Sequence, residues 1–272
     1  MAVTERASSK MDIAAALGDD GYAFVPNVLD GAACDALNVA IETCRAMPGP
    51  TFRTLSPEGA PLVQSELFRW PDNAAIHDLT HKGVLPRLAA QAFGTKDVIL
   101  MEDQWFYSER GAGTISPWHQ DHPYHPLEPW FLTIWIALDT PPGPVGLKVA
   151  AGSHSEVMYG PVEFSAGNAT LAGQKQVLQP VPDIEADPDT WRVITPPAKR
   201  GDAILMDSRT LHAAGGQCAD TFRRISIRYA HPDTVFSPRN WPVAQFWDHH
   251  PIATRTGASL ISDAFPLITS NT

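Results

Sequence analysis

Residues 98–107 have the sequence VILMEDQWFY, and residues 131–138 have the sequence FLTIWIAL. Both runs have the length of a strand and are rich in β-branched and aromatic side chains, which favour strands over helices. The chain from residue 97 onward is therefore expected to consist mainly of short strands. Three more runs of this kind follow, at Leu147 to Ala150, Ala203 to Met206 and Arg224 to Tyr229.

The segments between these runs carry turn residues, for example Gly111-Ala-Gly113, Pro141-Pro-Gly-Pro144 and Arg200-Gly-Asp202. Glycine and proline fit the backbone angles of turns, which suit antiparallel connections. A parallel sheet needs a crossover helix between successive strands, and no segment with a helical pattern of that length separates these runs. The predicted fold class is therefore mainly β with flanking helices, a double-stranded β-helix (jelly roll) of the cupin-like type.

The chain before residue 97 has a different pattern. Apolar residues recur at helical spacing in Met11 to Leu17 and in Ala32 to Arg45, and Tyr22-Ala-Phe-Val25 between them has the pattern of a short strand. Further on, 155–197 is long and weakly periodic, which is typical of a lid or binding loop. Since 272 residues suit one large domain, we predict a single domain over 1–272. Its parts are a helix-rich N-terminal part (1–96), a jelly-roll core (97–233) with a lid-like insertion (155–197), and a C-terminal tail (234–272).

The charge and the cysteine content narrow the classes of function. The formal net charge is −10 and no run of Lys and Arg forms a basic arm, so nucleic acid is not an expected partner. The three cysteines, Cys34, Cys44 and Cys218, form no CxxC pair, which favours a reducing compartment. Residues 1–10 lack the apolar run of a secretory signal, and no stretch reaches membrane-spanning length. We therefore expect a cytoplasmic protein without a membrane partner, for which a homodimer is compatible with the sequence.

The strongest chemical signal is the segment Trp118-His-Gln-Asp121. His119 and Asp121 stand two residues apart, so in an extended segment their side chains point to the same side and can bind one ion. The best third ligand is His212, just beyond the strand that follows Gly201-Asp202. Two histidines and one carboxylate leave positions of an octahedral ion open, which suits Fe(II) and oxygen chemistry, whereas structural zinc prefers a closed tetrahedron. Taken alone, a His-x-Asp pair is also compatible with ordinary exposed or core side chains.

Short segments with recognisable motifs occur in a fixed order between Asp20 and Asp233. They are Asp20-Gly-Tyr-Ala-Phe-Val-Pro-Asn27, Trp118-His-Gln-Asp121 with Tyr124, Trp135-Ile-Ala-Leu-Asp139, Gly152-Ser-His154, Gly201-Asp202 through His212, and Arg223-Arg-Ile-Ser-Ile-Arg228. Each segment is weak alone, but their ordered combination is specific. With them the chain resembles the phytanoyl-CoA dioxygenase-like branch of the Fe(II)/2-oxoglutarate oxygenases.

The resemblance implies Fe(II) held by His119, Asp121 and His212, with 2-oxoglutarate and O2 as co-substrates. It implies a dioxygenase that oxidises a small organic molecule and releases succinate and CO2. Hydroxylation is the expected outcome, while desaturase, epimerase or cyclase activity fits the same triad. Halogenation is not expected, because related halogenases carry a small residue where this chain has Asp121.

The segment from Arg223 to Arg228 is similar to the strand on which this family places the arginine that binds the distal carboxylate of 2-oxoglutarate. A planar guanidinium suits that task because it donates two parallel hydrogen bonds. Strand alternation puts Arg224, Ser226 and Arg228 on one face and Arg223 with two isoleucines on the other, where packing against helices is expected. Arg224 is the predicted clamp, with Arg228 and Ser226 as further cofactor contacts, and the choice of main clamp among the three arginines stays open.

Other cofactor contacts are expected on the two long strands. The resemblance suggests Gln104 on the first strand, and Thr133 and Trp135, which share one face, on the second. The alternative for Gln104 and Thr133 is ordinary cross-strand hydrogen bonding.

Two other classes of function stay open for the chain as a whole. One is a metal-dependent cupin-like enzyme that does not use 2-oxoglutarate, and the other is a non-catalytic jelly-roll binding protein. The sequence does not name the substrate, which 155–197 and the segments near both ends of the core are expected to select.

Overall fold

A computed structural model describes residues 11–113, 116–141, 146–164, 178–241 and 256–270. The α-helices of these residues all lie before residue 97. Three of them begin at a side chain, Asp12, Asp30 or Asn73, that accepts a hydrogen bond from a free N–H group of the first turn. The helices are α1 (Ile13–Asp20), α2 (Gly31–Ala46), α3 (Ala74–His81) and α4 (Val84–Phe93).

The strands form two larger antiparallel sheets and one short ribbon. They are β1 (Tyr22–Val25), β2 (Arg53–Thr54), β3 (Val63–Leu67), β4 (Asp97–Ser108), β5 (Ser116–His119), β6 (Leu127–Glu128), β7 (Phe131–Ala137), β8 (Gly146–Ala151), β9 (Arg192–Ile194), β10 (Ala203–Asp207), β11 (His212–Gly215), β12 (Phe222–Ala230), β13 (Val235–Phe236) and β14 (Leu267–Thr269). The main sheet has the order β1-β10-β7-β12-β4-β3-β2, with β14 also paired to β4. The minor sheet has the order β5-β11-β8-β9, and β13 pairs with β6.

One face of the main sheet packs against the helices. On β12, Ile225, Ile227 and Tyr229 are fully buried on this face, in a cluster that includes Leu37 of α2 and Leu85 of α4. Burial of apolar surface stabilises such packing by roughly 25 cal/mol per Å². The prediction that the isoleucine face of this strand packs against helices is confirmed.

The opposite, inward face of the main sheet is apolar at its two ends and polar in the middle. Along β7, Phe131 belongs to one apolar cluster and Trp135 belongs to another. Between them lies Thr133, which is the cross-strand neighbour of Arg228 on β12, and Arg228 is in turn the neighbour of Glu102 on β4. We call Glu102, Thr133 and Arg228 the polar band. Because buried polar groups cost free energy unless they are paired, this row marks the place where a functional site is expected.

The fold class predicted from the sequence is confirmed. Every predicted core strand is present, as β4, β7, β8, β10 and β12. The main sheet also takes β1, β2 and β3 from the N-terminal part and β14 from the tail, so it extends beyond 97–233.

Part of the predicted lid-like insertion, residues 165–177, lies outside the described residues. Within the same insertion, β9 joins the minor sheet by pairing with β8. None of the helices in the described ranges combines the length and the apolar character needed to cross a membrane.

Candidate metal centre and active site

The minor sheet brings the three predicted ligands together. His119 ends β5, His212 begins β11, and the two residues are partners in the antiparallel ladder. Asp121 follows two residues after His119, where the chain enters a short 3-10 helix at His122–Tyr124. All three side chains are buried, and one potential ligand atom from each lies within 4.8 Å of the others. This spacing is suitable for a single ion.

The imidazoles are oriented for metal binding. Nε2 of His119 lies 3.6 Å from Oδ1 of Asp121, and Nε2 of His212 lies 3.8 Å from the same oxygen. Nδ1 of His119 lies 2.7 Å from the carbonyl oxygen of Pro117, and Nδ1 of His212 lies 2.9 Å from that of Thr210. Because a carbonyl only accepts, each Nδ1 carries the proton and each Nε2 keeps its lone pair for a metal.

The protonation states also fit a divalent cation. Burial, with His119 nearby, lowers the pKa of His212 to about 4, so its ring is neutral near pH 7. Burial alone would raise the pKa of Asp121, but Arg228 and the two histidines hold it well below its ordinary value. Two imidazole nitrogens and one carboxylate form a donor set that suits Fe(II) with open positions.

The second oxygen of the Asp121 carboxylate is held by two donors. The hydroxyl of Thr133 donates to Oδ2 at 2.8 Å, and Nε of Arg228 donates to it at 3.2 Å. The two residues thus contact a predicted metal ligand directly. Their predicted roles as contacts of 2-oxoglutarate stay predictions.

Arg228 also contacts two residues of β4. Its Nη1 donates to Oε1 of Glu102 at 2.7 Å and to Oε1 of Gln104 at 3.1 Å. Burial raises the pKa of Glu102 to about 7, while Arg228 acts in the opposite direction. The sequence predictions did not include Glu102. A signal was present, because an acidic residue inside an apolar strand is rarely buried without a partner.

Arg224 is the other buried arginine on the inward face of β12. Its Nη1 donates to Oγ of Ser108 at 3.0 Å. Its guanidinium carbon lies 4.8 Å from the ring centre of Phe106 and 5.4 Å from that of Phe222. No carboxylate of the described residues forms an ion pair with it, and burial lowers its pKa to about 10. A buried cation in such surroundings favours the binding of an anion.

The other predicted cofactor residues also lie on the inward face. Ser226 is buried between Arg224 and Arg228 along β12. Gln104 donates to Oγ of Ser65 at 3.1 Å. Trp135 is buried, with its ring centre 6.3 Å from that of Phe222. Roles of Ser226, Gln104 and Trp135 in cofactor binding stay predictions.

Two side chains of the metal motif, Gln120 and Tyr124, form hydrogen bonds with the backbone of the segment that follows Gly152-Ser-His154. Gln120 accepts a hydrogen bond from the backbone N–H of Tyr159 at 2.8 Å. The hydroxyl of Tyr124 accepts from the N–H of Val162 at 2.8 Å and donates to its carbonyl at 2.7 Å. The chain from 157 to 164 is thereby held across the metal motif.

Phe164 lies at the end of this segment, next to a predicted metal ligand. Its ring meets the His119 ring edge to face, with centroids 4.8 Å apart. The side chain nevertheless remains 41% exposed. An aromatic surface is therefore available beside the metal centre.

A jelly roll that buries two histidines and a carboxylate within 4.8 Å of one another is typical of a class of non-heme metalloenzymes. The inward face of the same main sheet carries Arg224, which forms no ion pair among the described residues. The chain belongs to the phytanoyl-CoA dioxygenase (PhyH) family, whose sequence profile matches residues 17–225. The predicted family is confirmed, and with it the predicted class of iron- and 2-oxoglutarate-dependent oxygenases.

Three solved structures share this fold. The epimerase SnoN, in complex with Fe3+, alpha ketoglutarate and nogalamycin RO, is 22% identical, with a TM-score of 0.73 over 94% of this chain and 96% of that chain. The alpha ketoglutarate dependent carbocyclase SnoK from nogalamycin biosynthesis is 19% identical, with a TM-score of 0.75 over 96% and 97%. EctD from S. alaskensis is 19% identical, with a TM-score of 0.69 over 90% and 86%. At these identities the likeness establishes the fold alone, and a comparison with curated protein sequences found no match.

Proposed function

We propose that this protein is an Fe(II)- and 2-oxoglutarate-dependent dioxygenase that oxidises a small organic molecule, with hydroxylation as the expected outcome. His119, Asp121 and His212 bind the iron, and Arg224 binds the distal carboxylate of 2-oxoglutarate. The observation that carries the assignment is Arg224, a buried arginine that forms no ion pair within the described residues, on the strand face that also carries Arg228.

The residues of the chain prepare the site for this chemistry. His119 and His212 present their Nε2 atoms to the metal because backbone carbonyls hold the protons of their Nδ1 atoms. Asp121 supplies the negative charge that a divalent cation needs. Burial of these side chains limits access of bulk water. Bound iron supplies the activation of O2, with one oxygen atom entering succinate as 2-oxoglutarate loses CO2 and the other available to the substrate.

Arg224 and Arg228 are suited to different tasks. They lie four residues apart on one face of β12, which separates their backbones by about 13 Å. Arg228 is already paired with Asp121 and Glu102. Arg224 uses one N–H group on Ser108, which leaves the others for a carboxylate. A bidentate pair with 2-oxoglutarate would compensate its buried charge.

The test is to add Fe(II) and 2-oxoglutarate to the metal-free protein under anaerobic conditions and to record the visible absorption spectrum. The iron chelate of 2-oxoglutarate gives a weak charge-transfer band there. Wild-type protein is expected to develop this band, and its absence from folded protein would overturn the proposal. Arg224→Ala is expected to weaken 2-oxoglutarate binding by roughly tenfold to a hundredfold while sparing iron. His212→Ala is expected to lose both.

Arg223→Ala is the matched control for Arg224→Ala. Arg223 lies on the opposite face of the same strand, where its Nε donates to Asp139 at 2.9 Å. Its removal takes away the same side chain without changing the inward face, so 2-oxoglutarate binding is expected to match the wild type. Equal losses in both variants would contradict the assignment of Arg224.

For the substrate, we propose a small apolar molecule that carries a ring and packs against Phe164. The support is an exposed aromatic side chain directly beside His119, because aromatic surfaces favour flat apolar groups. This gives the lid-like insertion 155–197 a role in substrate binding. A succinate-release screen over ring-bearing and ring-free metabolites tests the class, and hits confined to ring-free polar compounds would refute it. Phe164→Ala is expected to raise KM for a hit more than it lowers kcat.

Product analysis separates the reaction outcomes that the triad allows. The fold is shared with an epimerase and a carbocyclase, so outcomes other than hydroxylation need a direct test. Mass spectrometry after reaction under 18O2 distinguishes them: hydroxylation incorporates labelled oxygen, ring closure or desaturation removes two hydrogens, and epimerisation leaves the mass unchanged. Incorporation of label supports the proposed hydroxylase.

We also infer a cytoplasmic protein that binds neither nucleic acid nor membranes. The support is its net charge of −10 and its three cysteines, which are buried thiols rather than disulfides. Recovery in the membrane fraction after cell lysis would contradict this inference. Light scattering of the purified protein decides between a monomer and a homodimer.

A further inference from the structure

The two oxygens of the Asp121 carboxylate have different surroundings. Oδ1 lies 3.6 Å from Nε2 of His119 and 3.8 Å from Nε2 of His212, so it belongs to the ligand cluster. Oδ2 instead accepts hydrogen bonds from Thr133 at 2.8 Å and from Arg228 at 3.2 Å. One oxygen thus faces the candidate ion, and the lone pairs of the other are used by two donors.

This difference matters because a carboxylate can bind a metal through one oxygen or through both. Binding through both oxygens would occupy one of the positions that two histidines and one carboxylate otherwise leave open. We propose that Thr133 and Arg228 are positioning residues that restrict Asp121 to binding through Oδ1. This inference rests on the proposed function, in which a chelating 2-oxoglutarate and O2 together require every open position.

The positioning residues are held by the sheet itself. Thr133, Arg228 and Glu102 are adjacent across the central strands β7, β12 and β4. None of the three lies on a loop, and each side chain is buried. Sites built on strands hold their geometry more closely than sites built on loops. The polar band is therefore a rigid support for one oxygen of the metal ligand.

Glu102 keeps Arg228 in place. Its Oε1 accepts from Nη1 of Arg228 at 2.7 Å, while Nε of the same guanidinium reaches Asp121. The planar guanidinium bridges two carboxylates, so its position relative to Asp121 is determined from both sides. An arginine held only by Asp121 would be free to turn with that side chain.

The test separates metal binding from chelate binding. Thr133→Val removes one donor without changing the size of the side chain much. Arg228→Met combined with Glu102→Gln removes the second donor together with its own counter-charge. Each variant is titrated anaerobically with Fe(II), and then with 2-oxoglutarate and with oxalate, a chelator that has no distal carboxylate.

We expect iron affinity to stay within a few-fold of the wild type or to become tighter, as the second oxygen becomes a ligand. Binding of 2-oxoglutarate and of oxalate is expected to weaken by on the order of tenfold, because both chelators then compete with the second oxygen of Asp121 for one position on the ion. Arg224→Ala provides the contrast, because it should weaken the binding of 2-oxoglutarate and leave the binding of oxalate unchanged.

Three results would overturn the inference. Wild-type binding of both chelators by the variants would show that Asp121 needs no restraint. Equal losses of affinity for iron and for the chelators would show that Thr133 and Arg228 have a merely structural role. Weaker binding of 2-oxoglutarate with unchanged binding of oxalate would show that these residues contact the distal carboxylate of 2-oxoglutarate instead. A wild-type protein that forms no chelate band would refute the proposed function, which is a separate outcome. If the double variant does not fold, Thr133→Val alone tests the inference.

Discussion

Arg224 and Arg228 are the same residue type on the same face of one strand, and each is 8% exposed. Arg228 contacts two buried carboxylates, whereas Arg224 contacts a hydroxyl and two aromatic rings. Burial lowers the pKa of both side chains, to about 10 for Arg224, but Asp121 and Glu102 more than reverse this effect for Arg228. One arginine therefore belongs to the internal charge balance of the protein, and the other is compensated when a ligand anion binds.

The largest expected difference between them is in stability. Arg228→Ala leaves Glu102 and Asp121 buried without their cation, which should lower the free energy of unfolding by about 3–5 kcal/mol. Arg224→Ala removes a buried charge that pairs with no acidic group in the part of the chain that the structure describes, so we expect a change of about 1 kcal/mol at most. Urea denaturation of the metal-free proteins measures both values. Similar losses in the two variants would mean that the arginines are not distinguished by their partners.

The next effect concerns stabilisation by ligand. With Fe(II) present, 2-oxoglutarate at 100 times its dissociation constant should stabilise the wild-type protein by about 2.7 kcal/mol. At the same concentration, Arg224→Ala should retain the stabilisation by iron and lose most of that by 2-oxoglutarate. Anaerobic thermal unfolding with and without each ligand measures the two contributions. If 2-oxoglutarate stabilised Arg224→Ala as much as the wild-type protein, another residue would bind its distal carboxylate.

The carboxylate partner of Arg228 should make stability depend on pH. The pKa of Glu102 is raised from 4.5 to about 7, chiefly by burial. Its contribution to stability is therefore fully present below about pH 4.5 and is lost as the pH rises to about 7. Metal-free wild-type protein should lose roughly 1–3 kcal/mol relative to Glu102→Gln across this window. A difference that does not change with pH would show that Glu102 is ionised throughout.

The smallest effect tests the shape of the clamp rather than its charge. Arg224→Lys keeps a cation but loses the planar fork that pairs with both carboxylate oxygens. We expect 2-oxoglutarate binding to weaken by about tenfold, or about 1.4 kcal/mol, with iron binding unchanged. Titration of the charge-transfer band measures the loss. Wild-type affinity in this variant would argue against a bidentate contact.

Local patterns were enough to predict several features of the fold and the site. The two-residue alternation of a strand placed Arg224, Ser226 and Arg228 on one face, and the two-residue spacing of His119 and Asp121 placed their side chains together. Helices α3 and α4 and strand β14 were not predicted. β14 is three residues long, so its place beside β4 depends on the partner strand more than on its own pattern.

Glu102 shows why other contacts of the site could not be predicted from local sequence patterns. Its own segment reads as an ordinary strand, and its partner Arg228 lies 126 residues away. Only the register between β4 and β12 places the two side chains opposite each other. A pattern within one strand carries no information about that register.

The sequence by itself determined the fold class, the three candidate metal ligands and the face on which the arginines lie. These properties depend on local periodicity and on motifs that recur in a fixed order. The tertiary structure decided which donor meets which acceptor, so that Arg228 lies on Asp121 while Arg224 has no acidic partner among the described residues. The physical reason is that hydrogen bonds and ion pairs act over a few ångströms, and strand pairing brings residues within that distance regardless of their separation in the chain.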